Sequence, residues 1–178
     1  TAARLAAGGG VVVLGIRPDR PETGYGYLQA AHAGPGADVT RFVEKPDRAT
    51  AETYVAAGDH FWNSGMFVLR ASAWIAALRR FRPDIEAATR IAFDARRLDA
   101  AFVRPDRAAF EAVPAESVDY AVMERCPGSG IPVRMVPLDC GWSDLGAWDA
   151  VWQVAAKDAD GNAAVGDAVV RDSRNTLV

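Results

Sequence analysis

At 178 residues with a net charge of -3, the chain suits one domain or one domain plus a short appendage. An acidic balance of this kind carries no polyanion-binding signature, so neither nucleic acid nor membrane is an expected partner. No apolar run approaches the roughly 20 residues a bilayer span requires, and two cysteines without CxxC spacing point to reduced thiols in a cytoplasmic protein.

Thr1 to Ala7 reads as the last turns of a helix, stopped by Gly8-Gly9-Gly10. Val11 to Ile16 is a short continuous apolar run, the pattern of a strand buried on both faces. Two prolines, Pro18 and Pro21, keep the next connection from being helical. Thr23 to Leu28 resumes as strand, with Gly24 and Gly26 where the backbone bends or admits a close neighbour. Ala33-Gly34-Pro35-Gly36 is a hairpin-like loop before a strand over Val39 to Val43. Pro46 ends that strand, because proline has no N–H for the ladder. Glu44 and Lys45 then fall at its carboxyl end, where open α/β sheets place their ligands. Lys45 and Lys157 are the only lysines in a chain otherwise served by arginine. A compact, rotatable ammonium at Lys45 is one reading and a solvated turn is the other.

Ala49 to Ala57 reads as a helix closed by Gly58, and Phe61 to Leu69 as a strand interrupted by Asn63-Ser64-Gly65. Either a bulge with internal hydrogen bonds or a ligand must satisfy Asn63 there. Ser72 is placed as the cap of a helix ended by Pro83, and a second helix runs from Ile85 to Leu98. A loop with a short helix surrounds Pro105 and Pro114. Ser117 starts a helix over Val118 to Arg125 with Asp119 in its first turn, and Ile131 to Leu138 is a strand. Gly141-Trp142-Ser143-Asp144-Leu145-Gly146 leads into an amphipathic helix carrying Trp148, Val151 and Trp152. Asp144 either binds Mg²⁺, or Ser143 or Asp144 simply caps that helix. From Lys157 the pattern changes to a turn and short β-like runs. The alternation predicts an α/β fold with a mixed, mostly parallel sheet and flanking helices. Residues 1–156 form the main part, and 157–178 a linker and the start of a C-terminal β-rich module.

Five motifs in order resemble the bacterial mannose-1-phosphate guanylyltransferases of the sugar nucleotidyltransferase superfamily. They are Thr23-Gly24-Tyr25-Gly26-Tyr27, Phe42-Val43-Glu44-Lys45-Pro46, Trp62-Asn63-Ser64-Gly65-Met66-Phe67, Ser117 to Glu124, and Gly141 to Gly146. The resemblance implies a Rossmann-like nucleotide-diphospho-sugar transferase fold, with GTP and mannose 1-phosphate converted to GDP-mannose and pyrophosphate. It implies that Glu44 accepts hydrogen bonds from sugar hydroxyls and Lys45 holds the sugar phosphate. Tyr25, Gly26 and Asn63 would lie against the sugar, and Asp144 would be one of two aspartates holding Mg²⁺. No role is carried over to the Ser117–Glu124 helix, whose packing face accounts for it. Family members often associate, so a homo-oligomer is among the expected partners. The family's Gly-x-Gly-Thr-Arg-Leu loop is absent from these residues. The expectation is therefore a fragment holding the sugar-phosphate half, with the GTP site mostly elsewhere and no turnover alone. A non-catalytic sugar-phosphate-binding module and a transferase for another hexose 1-phosphate are the alternatives.

Overall fold

The computed structural model describes residues 1–178, which divide into two compact units, Thr1–Asp139 and Cys140–Val178. The first unit is built on a closed five-stranded sheet. Its strands are β1 (Val11–Ile16), β2 (Tyr27–Ala30), β3 (Ala37–Val43), β4 (His60–Leu69) and β7 (Val133–Pro137), in the order β1-β4-β2-β3-β7. β7 closes the ring by pairing in parallel with β1 and antiparallel with β3. The expected α/β fold with a mixed sheet is present, and the expectation that this sheet is mostly parallel and Rossmann-like is corrected: β1/β7 is the parallel pair, and the other four pairings are antiparallel. The reason lies in the connections. β2 and β3 are joined by a loop too short for a crossover helix, and β4 then returns alongside β2 with reversed direction.

β1 reads as predicted, with Val11, Val12 and Val13 fully buried. Val11, Val13, Leu28, Phe42, Phe61 and Met135 share the core with Val122, Met123 and Cys126. Gly15 is required by this packing, since a Cβ there would stand 2.8 Å from Met135 Cγ. Gly10, with φ +82°, similarly runs against the Pro132 carbonyl.

The helices follow their caps. α1 (Ala2–Ala7) ends at the three glycines. α2 (Arg48–Ala57) starts on Asp47, whose carboxylate accepts from the Thr50 N–H at 2.8 Å, and stops at left-handed Gly58. α3 (Ala71–Phe81) has Arg70 rather than Ser72 at its N-cap, with no side-chain cap; Ser72 lies inside the helix. α4 (Pro83–Asp94) ends short of the predicted Leu98, because Arg97–Asp99 (β5) and Phe102–Arg104 (β6) pair as a small hairpin. α5 (Arg107–Glu111) is capped by Asp106. The predicted helix over 118–125 is broken: α6 (Val118–Ala121) stops at Val122, with φ −133°, and a 3-10 turn carries Met123–Arg125. The predicted strand over Thr23–Leu28 begins only at Tyr27. Before it the Glu22 carboxylate accepts from the Thr23 and Gly24 N–H groups and folds that stretch into a turn.

The second unit carries α7 (Trp148–Val154), whose Trp152 Nε1 donates to the Gly161 carbonyl at 2.9 Å. The Asp158 carboxylate receives N–H bonds from Asp160 and Asn162, and buried Asn162 bonds Ser173 and Thr176. A parallel bridge joins Ala163 to Leu177. The expected boundary at 156/157 falls inside this unit. No helix of the chain is long and apolar enough to cross a membrane.

Candidate functional site

β3 ends at Val43, and the next two residues carry the charges the sequence singles out. The Glu44 side chain is only 9% exposed and the Lys45 side chain 57%, with Lys45 Nζ 3.2 Å from Glu44 Oε1. Lys45 adopts φ +47°, the left-handed region that a lysine seldom occupies. The turn thus holds its carboxylate inward and its ammonium toward solvent.

Three further elements converge on it. Gly26 precedes β2, and a Cβ at that position would stand 2.5 Å from Glu44 Oε2 and 3.3 Å from Asn63 Cβ. The missing side chain makes room for the Glu44 carboxylate. Asn63 lies on β4, and its backbone N–H donates to the Gly26 carbonyl at 2.7 Å. Tyr25 meets Trp62 edge-on at 5.2 Å between ring centroids, fixing the loop before Gly26.

The Asn63-Ser64-Gly65 interruption is a bulge. The β1/β4 register shifts between Val13 and Gly15, and Gly65 has φ +71°. Its polar groups are satisfied internally. Asn63 Oδ1 accepts from the Gly65 N–H at 3.0 Å, and the Ser64 hydroxyl donates to the Leu14 carbonyl at 2.6 Å. Asn63 Nδ2 donates to Asp119 Oδ1 at 3.0 Å. One amide hydrogen of Asn63 is left over from these bonds.

Asp119 and Glu124 are the residues that sequence reasoning missed. Asp119 reaches the site through Asn63. Glu124 Oε1 accepts the Glu44 N–H at 2.7 Å, across 80 residues of chain. The acid-rich Ser117–Glu124 motif was the available signal, but Asp119 also fits a helix-dipole role.

Glu44 thus has Asp119 and Glu124 near it and Lys45 paired to it, and the titration of Glu44, Asp119 and Lys45 reflects these surroundings. Burial pushes Glu44 above its ordinary value; Asp119 adds to the rise, Lys45 opposes it, and Glu124 raises it further. Burial likewise raises Asp119, against the Asn63 hydrogen bond. Lys45 is held above its ordinary value by its bond to Glu44. Desolvation thus dominates at the buried carboxyl, and pairing at the exposed amine. Such a group can hold a polyhydroxylated ligand through the carboxylates and an anion through Lys45.

Asp144 belongs to the second unit. It is exposed, and Oδ1 accepts the Gly146 N–H at 3.1 Å. Neither it nor Ser143 caps α7, whose N-cap position is Ala147 without a side-chain bond. The capping alternative is therefore overturned. A Cβ on Gly146 would press on Asp144 Oδ2 at 2.6 Å, which accounts for that glycine. No cluster of three or more His, Cys, Asp or Glu side chains in the chain is arranged to hold a metal by itself. One carboxylate is still compatible with Mg²⁺, which commonly takes one or two carboxylates and completes its shell with substrate phosphates and water.

A family model described as nucleotidyl transferase matches residues 1–161. The xanthan biosynthesis protein XanB of Xanthomonas campestris pv. campestris (strain B100) is 48% identical over 176 residues, covering 98% of this chain and 37% of that protein. A mannose-1-phosphate guanylyltransferase of Escherichia coli (strain K12) is 44% identical over 179 residues, covering 97% and 37%. A solved structure from Thermus thermophilus, described as a mannose-1-phosphate geranyltransferase, superposes with a TM-score of 0.77 at 31% identity, covering 93% of this chain and 46% of that one. The chain thus spans little more than a third of the length of the curated relatives it matches.

Proposed function

The chain belongs to the nucleotidyl transferase family, and from that premise we propose that it supplies the sugar-phosphate site of a mannose-1-phosphate guanylyltransferase. The observation that carries the reading is the Glu44–Lys45 turn, with its carboxylate sunk against Gly26 and its ammonium turned outward. In the proposed reaction an oxygen of mannose 1-phosphate attacks the α-phosphorus of GTP. The bond from that phosphorus to the bridging oxygen breaks, and pyrophosphate leaves with the electron pair.

Both reactants are anions, so the protein must offset their repulsion and fix the line of attack. Lys45 does this at the sugar phosphate: one ammonium hydrogen is held by Glu44 and two remain for phosphate oxygens. The bond to Glu44 also aims the ammonium before the ligand arrives. Glu44 accepts from sugar hydroxyls, as does Asp119, and Asn63 offers its remaining amide hydrogen. Gly26 admits the ring close to the backbone, with Tyr25 beside it. Asp144 is the residue that would hold Mg²⁺, which when bound polarises the phosphoryl oxygens and neutralises their charge. GTP contacts are assigned mainly to parts of the relatives that these 178 residues do not cover. Residues 1–156 serve as the sugar-phosphate part, 157–178 as the link to a β-rich module, and the setting is the cytoplasm.

Isothermal titration of this chain tests the reading, with mannose 1-phosphate, glucose 1-phosphate and free mannose as ligands. Mannose 1-phosphate binds, and Lys45→Ala weakens it about tenfold or more, the value of a charge-assisted hydrogen bond, while free mannose is unaffected. Equal affinity of wild type and Lys45→Ala for the phosphate ester would return the pair to a surface turn. Tighter binding of glucose 1-phosphate would move the assignment to another hexose.

A further inference from the structure

We propose that Glu124 is a positioning residue: its carboxylate holds the Glu44–Lys45 turn in the shape that presents Lys45 to the sugar phosphate. This rests on the assignment of Lys45 to phosphate, and it adds a residue from a segment to which the motifs gave no role.

The argument starts where β3 ends. Tyr27 is opposite Val43, the last paired residue of the strand, so the Glu44 N–H has left the ladder. A backbone donor at a half-buried position needs a partner. Glu124 Oε1 provides it at 2.7 Å, within the range of charge-assisted bonds. The next residue, Lys45, has φ +47°, and Pro46 follows it. Proline disfavours the right-handed helical region for its predecessor, and the left-handed region is uncommon for lysine. Two local preferences therefore pull the unheld turn toward extended backbone. That change would carry the ammonium away from Glu44 Oε1. The bond to Glu124 fixes the peptide immediately before Lys45 and opposes it.

Glu124 is itself rigidly mounted. Its neighbours Val122, Met123 and Cys126 have no solvent exposure, and Arg125 Nη1 donates to the Phe81 carbonyl at 3.0 Å. The break of α6 at Val122 turns the following 3-10 segment so that Glu124 faces β3 while Met123 enters the core. A continuous helix, as the sequence predicts, would distribute these two side chains differently. The carboxylate also stands near Asp119 and Glu44, adding to the negative surroundings that raise the Glu44 carboxyl. Holding a third acid beside two others is electrostatically unfavourable, and fixing the turn is the compensating role.

The test combines titration of mannose 1-phosphate with hydrogen exchange of the Glu44 amide by NMR, on this chain and on Glu124→Gln, Glu124→Ala, Lys45→Ala and the double variant Glu124→Ala/Lys45→Ala. Glu124→Ala should weaken mannose 1-phosphate about tenfold and accelerate exchange at Glu44 by at least as much. Glu124→Gln keeps an acceptor oxygen and should recover most of both. If Glu124 acts through Lys45, adding Glu124→Ala to Lys45→Ala should cost less than twofold further. Full additivity of the two substitutions would overturn the proposal, as would unchanged Glu44 exchange in Glu124→Ala. A wild-type chain that binds no mannose 1-phosphate would reject the sugar-phosphate assignment. In that case the exchange measurements still decide whether Glu124 holds the turn.

Discussion

Replacing Gly26 by alanine adds one methyl group at the centre of the site, and its consequences can be followed atom by atom. The new Cβ would stand 2.5 Å from Glu44 Oε2, where ordinary contact begins at 3.4 Å. The carboxylate must retreat by the difference. The new methyl has little room to give way itself, since Asn63 Cβ stands 3.3 Å from it. Because Glu44 Oε1 is 3.2 Å from Lys45 Nζ, the retreat either breaks that pair or drags the ammonium with it. Overpacking of this kind costs about 1–3 kcal/mol, and the low end applies because the obstructing atom is the tip of a side chain. Gly26 is outside the left-handed region, so alanine there also recovers about 0.4–1 kcal/mol through the unfolded chain. Net stability should therefore change by less than about 1 kcal/mol, while mannose 1-phosphate binding falls about tenfold or more as its carboxylate and ammonium are displaced. Thermal denaturation beside calorimetric titration measures the two separately. The reasoning fails if Gly26→Ala binds like wild type, or if lost binding is matched by a large drop in melting temperature.

Two other expectations concern charge. The folded-state values of Glu44 and Asp119 lie above their ordinary 4.5 and 3.8, so at these groups the folded state binds protons more readily than the unfolded chain. Their contribution makes stability fall as pH rises from those ordinary values through the raised ones, and Glu44→Gln should flatten that part of the melting profile. Asp47, Asp59 and Asp84 act oppositely, Asp84 being drawn to about 2 by Arg82, and their stabilisation is lost as pH falls below the ordinary carboxylate range. A Glu44→Gln profile identical in slope to wild type would contradict the burial argument. In a protein with turnover, Asp144→Asn should raise the Mg²⁺ concentration needed for half-maximal rate severalfold or more without changing the melting temperature. A lowered melting temperature with unchanged Mg²⁺ dependence would make Asp144 a structural residue only.

Local signals were legible in the sequence, and non-local ones were not. The apolar run of β1 and the Gly58 stop of α2 each depend on residues close together in the chain, and both appear as read. Ring closure depends on β7 meeting β1 and β3, and periodicity within a strand says nothing about its partner or direction. The same limit applies at the site. Glu44, Lys45 and Gly26 stand out by type and neighbours, and Asn63 by polarity inside an apolar strand. Asp119 and Glu124 acquire their roles from bonds spanning 56 and 80 residues. The left-handed conformation of Lys45 had no glycine or asparagine to announce it. Ser143 and Asp144 look like caps because they precede a helix closely, yet the backbone enters α7 three residues beyond Asp144, at Ala147.

The closure of the sheet by its last strand also orders events in time. A ribosome adding roughly 5–20 residues per second would deliver Glu124 about 4–16 s after Glu44, given the 80 residues between them. During that interval β1 and β3 have each lost a neighbour, so two strand edges stand open to pairing with another chain. The turn at Lys45 is also without its restraint until then. Glu124 precedes β7 by fewer than ten residues, so a nascent chain stalled before Glu124 would present adhesive edges and an unrestrained Lys45 turn together.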